Sequence, residues 1–335
     1  MKVWGMVLGG YPRTRLSRYS LRDSERGKIS TSEYNINMLK THSEVIGAQK
    51  AAGLPVVVDG MIDWHDIFRP FVESWRNVAV DGLLRYFDNN FFYRIPVFTG
   101  EPDIIRPVLA PRVLEYGPLA DPAVLKVVVP GPVTMAKLAR NLTEYKFEEL
   151  AEKIAYSLRM EVEKAVELGA GMVQVDEPIL ADMDATVDDA ALAVDLVAGI
   201  VRGFEDKAIL AVYFDSPKPE VYEKLLDVKT RYLMLDITDA RERALKLVEA
   251  KGFGSHEPVL GLVDARRIHD DNFDRLISDV EAIRKHVDVD EMVFTTTTWM
   301  DLIPFRYSLR KTFLLGLLTE KYAVEKGFEL VTVWR

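Results

Sequence analysis

The sequence predicts an α/β barrel, with parallel strands and helices alternating around one core. Three observations predict it: eight short, apolar, β-rich runs spread along the chain, helical periodicity between them, and turn residues after most of the runs. An open doubly wound sheet is the alternative use of the same elements. Of the 335 residues, 48% are hydrophobic and 28% charged, which suits a soluble chain with a large core. Barrels of this kind commonly exceed 200 residues as one unit, so residues 1–335 are expected to form a single domain.

The runs cover residues 3–8, 56–59, 126–129, 172–176, 209–214, 232–237, 259–263 and 292–297. Their near-continuous apolarity fits strands covered on both faces. Gly9-Gly10, Gly60, Pro130-Gly131-Pro132, Pro178 and Pro217 turn the chain after five of them. Between runs, residues 149–168 place Leu150, Ile154, Leu158, Val162, Ala165 and Val166 near a 3.6-residue period, with Gly169 as a stop signal. Residues 219–226, 240–249, 272–286 and 307–322 read as helices by the same rule. Residues 328–334 read as an extra strand with no assigned place.

The gap between the second and third runs, residues 61–125, is too long for a single crossover and rich in aromatics, among them Trp64, Phe68, Tyr86, Phe91 and Tyr93. It is expected to be an insertion over the barrel mouth, read as a helical layer with its own small core and as a functional loop excursion, which can both hold.

The net charge of −9 argues against a nucleic-acid partner. No run approaches the ~20 apolar residues of a membrane span, and the N-terminal stretch reads as a first strand, not a signal peptide. A cytoplasmic location is the default expectation. There is no cysteine, hence no disulfide and no thiolate ligand or nucleophile. The five histidines form no HxH or HxxxH pair, and GxSxG and GxxxxGK[ST] are absent.

In barrel enzymes, chemistry sits at the carboxyl ends of the strands. Those positions here are rich in carboxylates: Asp59, Asp63, Asp176, Glu177, Asp215, Asp236, Asp239 and Asp264. Together they favour a site that grips an amine or cation. In Gln174-Val-Asp-Glu-Pro178, strand alternation sends Gln174 and Asp176 to one face, toward the mouth, and Glu177 to the other. An inward Asp176 pairs with an internal cation or binds a ligand, because a lone buried carboxylate is costly. Arg13, Arg15 and Arg18 follow the first strand and suit a phosphate or carboxylate tail, or a solvated turn; Arg85 could join the same anion site. Thr134 lies near a helix N-terminus, which favours anions, or serves only the turn. Tyr213 and Trp299 complete the polar and aromatic positions at the strand ends.

The stretches LGGYPRTRLSR, QKAAGLPVVVDGMIDWHD, LLRYFDNNFFYRIPVF, VVVPGPVTMAKLARN, LGAGMVQVDEPIL, LAVYFDS, LGLVDARRI and FTTTTWM, in this order, resemble cobalamin-independent methionine synthase. The likeness is greatest to that family's N-terminal barrel. It implies a methyltransferase acting from 5-methyltetrahydropteroyl-polyglutamate to homocysteine, with a methyl-tetrahydropterin as donor. It also implies that Asp176 matches an aspartate that binds the amino group of homocysteine, with Glu177 in the same motif. Arg18 and Arg85 match basic positions that hold the polyglutamate tail.

The family's catalytic barrel holds zinc through His-x-Cys after the fifth strand, Glu after the sixth and Cys after the eighth. Here those stretches carry Ala211, Val212, Tyr213 and Phe214, then Asp236, then Thr296, Thr297 and Thr298. Zinc makes the homocysteine sulfur a thiolate at neutral pH. The chain is therefore expected to bind no zinc of its own. It would act as the pterin-binding half of a split enzyme whose partner is a zinc-bearing C-terminal-type barrel. A non-catalytic structural or regulatory subunit, or a related decarboxylase acting on a polycarboxylate, are the alternatives.

Overall fold

Why apolar runs become strands here is visible in their burial: both faces of each are covered. The computed structural model describes residues 1–87 and 91–334. In chain order it runs β1 (Lys2–Gly5), α1 (Arg15–Glu25), α2 (Thr31–Ala51), β2 (Val56–Val57), α3 (Arg69–Val72), β3 (Trp75–Arg85), β4 (Phe92–Ile104) and α4 (Leu109–Ala120). It continues through β5 (Val124–Pro130), α5 (Pro132–Leu138), β6 (Arg140–Asn141), α6 (Phe147–Glu167), β7 (Met172–Asp176), α7 (Val187–Val201), β8 (Ala208–Val212) and α8 (Pro219–Leu225). It ends with β9 (Tyr232–Asp236), α9 (Arg241–Lys251), β10 (Glu257–Val263), α10 (Phe273–Arg284), β11 (Glu291–Thr296), α11 (Phe305–Lys326) and β12 (Glu329–Leu330).

Each of the eight apolar runs carries one strand of a nine-stranded sheet ordered β12-β1-β11-β10-β9-β8-β7-β5-β2. All its pairings are parallel. Strands β7, β8 and β9 are buried at every position. Side chains of alternate residues, including Trp4, Met6, Met172, Ile209, Tyr232, Met234, Val259 and Val293, form an inner apolar cluster. The opposite faces pack under the helices in a larger core. The sheet curls: Lys126 of β5 reaches the carbonyl oxygens of Val7 and Leu8, just past β1, at 3.0 Å each.

Strands β1 and β2, on either side of the curl, are not paired with each other among the described residues. Beyond their carboxyl ends, the Tyr11 amide donates to the Gly60 carbonyl at 2.8 Å. At the other end the chain terminus enters the gap. β12 pairs with β1, Val331 N donates to Val3 O, and the Thr332 hydroxyl donates to Gly53 O ahead of β2. This gives residues 328–334 the place the sequence left open.

The helices expected at 149–168, 219–226, 240–249, 272–286 and 307–322 correspond to α6, α8, α9, α10 and α11, within a few residues at each end. Helices α1 and α2 are capped by the Thr14 and Ser30 side chains, which accept from the amides of Ser17 and Glu33.

Residues 61–125 differ from the expected helical layer. They hold an antiparallel pair, β3 and β4, joined on one side by β6 in a separate three-stranded sheet. Their last part is not insertion at all: α4 packs between α2 and α6 as the crossover helix leading to β5. Aromatic and β-branched residues such as Tyr93, Ile95, Val97 and Phe98 favour the pleated state over helix.

Candidate functional site

The strands' carboxyl ends gather a buried polar network with an aromatic cleft above it. At its centre is Asp176, the last residue of β7 and fully buried. Its Oδ1 accepts from Gln174 Nε2 at 2.7 Å. Its Oδ2 accepts from the Tyr213 hydroxyl at 2.8 Å and the Trp299 indole N–H at 3.1 Å. The other end of Gln174 accepts from Lys126 Nζ at 2.5 Å. Lys126 is buried like Asp176, and its remaining bonds go to the carbonyls of Val7 and Leu8 and to the Met6 sulfur.

A lysine and an aspartate thus face each other through one amide inside the curl. Burial pushes the Asp176 carboxyl above its usual range, opposed by Gln174, Tyr213, Lys126 and Trp299. Burial lowers the Lys126 ammonium, opposed by Asp176. Sequence reasoning missed Lys126, although a lone charge inside an otherwise apolar buried run was a usable signal.

Trp299 is held from both sides. Its ring lies on the backbone of Gly9 and Gly10: a Cβ at Gly9 would come within 2.1 Å of the indole nitrogen, and one at Gly10 within 2.7 Å of the ring. The glycines after β1 are therefore what lets the indole reach Asp176.

Glu177 points the other way. Its carboxylate accepts from the amides of Val133 and Thr134, at 2.9 and 2.7 Å, and from the Thr134 hydroxyl at 2.5 Å. Burial pushes it up to about 7. A Cβ at Gly131 would fall 2.0 Å from Glu177 Cδ, so the PGP turn is shaped around this carboxylate. Glu177 and Thr134 tie β7 to α5 and do not enter the mouth.

Asp236, at the end of β9, accepts on Oδ1 from the amides of Thr238 and Asp239, while its buried Oδ2 has no partner. Burial, then the charge of Asp239, keeps its proton on to well above the usual range.

Above Asp176, a cleft of about 410 Å³ is lined by His65, Asp66, Tyr86, Phe91, Tyr93, Tyr213, Phe214, Thr298, Trp299 and Asp301. Tyr86 and Phe91 come from the insertion, at the tip of the β3–β4 hairpin. Phe214 has a positive φ of 80°, uncommon for a bulky residue, and packs against Tyr86, Phe87, Phe91 and Tyr213.

Across Trp299 lies a second cleft, about 820 Å³, lined by Arg13 and Arg18 with Tyr11, Trp64, His65, Asp66 and Asp301. Arg13 donates to the carbonyls of Ile62 and Trp64, at 3.2 and 2.8 Å. The exposed Arg18 forms no ion pair among the described residues and lies beside Tyr19. Arg85 sits exposed on β3, outside the lining of this cleft. Residues 88–90, which follow it in the sequence motif, lie outside the described residues.

Asp59 and Asp63 are tied to a residue the sequence reading passed over. Arg112 of α4 bonds Asp59 at 2.6 Å and Asp63 at 2.9 Å, with its guanidinium over the rings of Trp64 and Tyr116.

The positions matching the family's zinc ligands do not fit zinc. The Tyr213 hydroxyl is spent on Asp176, Thr296 donates to the Thr298 carbonyl, and Asp236 is bound to its own loop. One carboxylate with hydroxyls lacks the nitrogen and sulfur donors such a site uses. Among the described residues no group of three or more His, Cys, Asp or Glu could cage a metal. No helix among them is long and apolar enough to cross a membrane.

A curled parallel α/β sheet with buried charge and a cleft at its strand ends is the arrangement in which barrel-type enzymes hold small molecules. More narrowly, residues 75–288 match the family model for the cobalamin-independent synthase, N-terminal domain, and the chain belongs to that family. It is 21% identical to a methionine synthase of Sulfolobus acidocaldarius, over 98% of this chain and 95% of the relative. It is 26% identical to the methionine synthase of Sulfurisphaera tokodaii, over 62% of this chain and 60% of the relative. It is 24% identical to a 5-methyltetrahydropteroyltriglutamate–homocysteine methyltransferase of Bacillus cytotoxicus, over 83% of this chain but 40% of that protein. In fold it is similar to a B12-independent methionine synthase from Shewanella sp. W3-18-1, with a TM-score of 0.81 at 15% identity over 97% of this chain and 98% of the other.

Proposed function

We propose that the chain is the pterin-binding, N-terminal-type unit of a cobalamin-independent methionine synthase, with residues 1–335 working as one (β/α)8 barrel and the insertion over its mouth. The single observation that carries this is the cleft holding Arg13 and Arg18 beside Trp64 and Trp299 at the carboxyl ends of the strands. A flat methyl-tetrahydropterin would lie against the indoles, with its anionic tail toward Arg18. Gln174, Asp176 and Tyr213 hold Trp299 in place beneath it. Because the donor set here does not suit zinc, methyl transfer to homocysteine needs a separate zinc-bearing barrel as partner. Both act in the cytoplasm in this reading. Relatives named as methionine synthases speak against the polycarboxylate decarboxylase.

Calorimetric titration with 5-methyltetrahydropteroyl-triglutamate tests it. Saturable binding is expected, weakened roughly tenfold by Arg18→Ala, a loss of about 1.4 kcal/mol typical of one charge-assisted contact. Added salt should weaken binding to the unaltered protein more than to the variant. No heat of binding, with or without a zinc-bearing barrel present, would remove the reading. Methyl transfer by the purified chain alone would remove the partner from it.

A further inference from the structure

We propose that the aromatic cleft beneath the β3–β4 hairpin binds a small, fully alkylated organic cation, a quaternary ammonium or sulfonium group. Seven rings, those of Tyr86, Phe91, Phe92, Tyr93, Tyr213, Phe214 and Trp299, line one cleft of about 410 Å³, its open mouth included. Tyr86, Phe91 and Tyr213 pack edge-on or tilted against the Phe214 ring, at 5.6, 5.9 and 4.8 Å, and so form one continuous aromatic wall to the cleft. Ring faces carry negative quadrupole charge and attract cations, most strongly where water is excluded.

The acidic groups around the cleft share one sign when ionised, and burial raises each of them, Asp301 to about 7. Asp66 and Asp301 line it, and Asp176 lies directly beneath, bonded to Tyr213 and Trp299. The nearest basic groups are turned away. Lys126 lies behind Gln174, and Arg13 is in the neighbouring cleft, bonded to carbonyls. Burial, then Arg13 and Arg69, lower the pKa of His65 below its usual value. Two buried polar atoms on the lining, the Tyr86 hydroxyl and the Thr298 Oγ1, have no partner. Buried polar groups are normally paired, so these two oxygens await something that enters the cleft.

The cation is alkylated because the buried carboxylates are already used as acceptors, which leaves Asp301 at the rim. Asp176 already accepts three hydrogen bonds, and Asp66 accepts from the amides of Phe68, Arg69 and Arg94. A primary ammonium would lose three hydrogen bonds to water and find two hydroxyl oxygens and the rim carboxylate of Asp301 in return. A methylated onium donates none, loses little on desolvation, and sets weakly polar C–H groups against those oxygens. The positive φ of Phe214 is a local strain that puts its ring in the wall of this cleft.

The test uses the full chain and four probes, choline, trimethylsulfonium, the uncharged carbon isostere of choline 3,3-dimethylbutan-1-ol, and ethanolamine, with tryptophan fluorescence and calorimetry as readouts. Choline and trimethylsulfonium are expected to bind at least about tenfold more tightly than the isostere and ethanolamine, as several ring contacts would give. Tyr86→Leu should remove that preference, and Asp301→Asn, at an exposed rim position, should weaken choline a few-fold. If Tyr86→Leu fails to fold, Phe91→Leu, another ring of the lining, still decides the matter by losing the preference for choline over its isostere. Equal affinity for choline and its isostere, ethanolamine binding as tightly as choline, or no saturable binding of any cation would each overturn the proposal. These outcomes are separate from the pterin titration, since no pterin is present.

Discussion

Replacing Lys126 with methionine is expected to destabilise the protein by about 3–5 kcal/mol, because it leaves a buried carboxylate without its cation. The side chain is nearly isosteric, so cavity formation contributes little. What changes is the chain from Lys126 through Gln174 to Asp176. The loss should be larger at pH 8 than at pH 5. The folded pKa of Asp176 lies above its unfolded value, so the native state holds a proton the unfolded state gives up, and stability falls as pH rises through that window. Removing the lysine raises the folded value further and widens the window upward. In the unaltered protein Lys126 works oppositely. Its folded pKa is lowered, so stability rises as pH climbs from that value toward the usual lysine range. The variant lacks this gain. Urea unfolding at the two pH values measures both effects. A loss below roughly 1 kcal/mol, or one that does not change with pH, would mean the pair is not coupled in this way.

The sheet was legible in the sequence because its signal is local. Residues 172–176 match β7 at both ends: the run is covered on both faces, and Pro178 stops it two residues later. Strand alternation also put Asp176 and Glu177 on opposite faces. Nothing local says what lies behind either face. Glu177 meets the α5 amides because Gly131 has no side chain, and Asp176 meets Trp299 because Gly9 and Gly10 have none. Those are encounters between segments far apart in the chain.

The internal structure of the insertion was illegible for the same reason, although its length and aromatics did suggest an excursion over the mouth. Its aromatics suggested a small core, but β3 and β4 are set by pairing across a turn, and the arrival of Tyr86 above Asp176 depends on how the hairpin docks. Arg85 shows the limit of reading charge alone. It shares a residue type with Arg13 and Arg18, yet its strand carries it away from the lining of their cleft.

Arg112→Met should be comparably costly, about 3–5 kcal/mol, for it strips the counter-charge from two carboxylates at once. Arg112 bonds Asp59 and Asp63, and its plane lies over Trp64 and Tyr116. It thereby joins α4 to the loop after β2, and that loop carries Trp64 into the cleft of Arg13. The pH signature differs in sign from the unaltered protein. Burial would raise Asp63, but Arg112 and His42 outweigh it and hold the carboxyl well below its usual value. In the unaltered protein this group therefore stabilises above the unfolded aspartate pKa, and that contribution is lost as pH falls toward the folded value. In the variant, burial acts with only His42 opposing it, the folded value rises above the unfolded one, and acidification toward pH 4 should restore stability. Chemical denaturation at pH 4 and pH 7 reads the reversal directly. If the variant instead loses stability on acidification as the parent does, Arg112 is not what holds Asp63 charged, and the cleft's Trp64 wall must be anchored by other bonds.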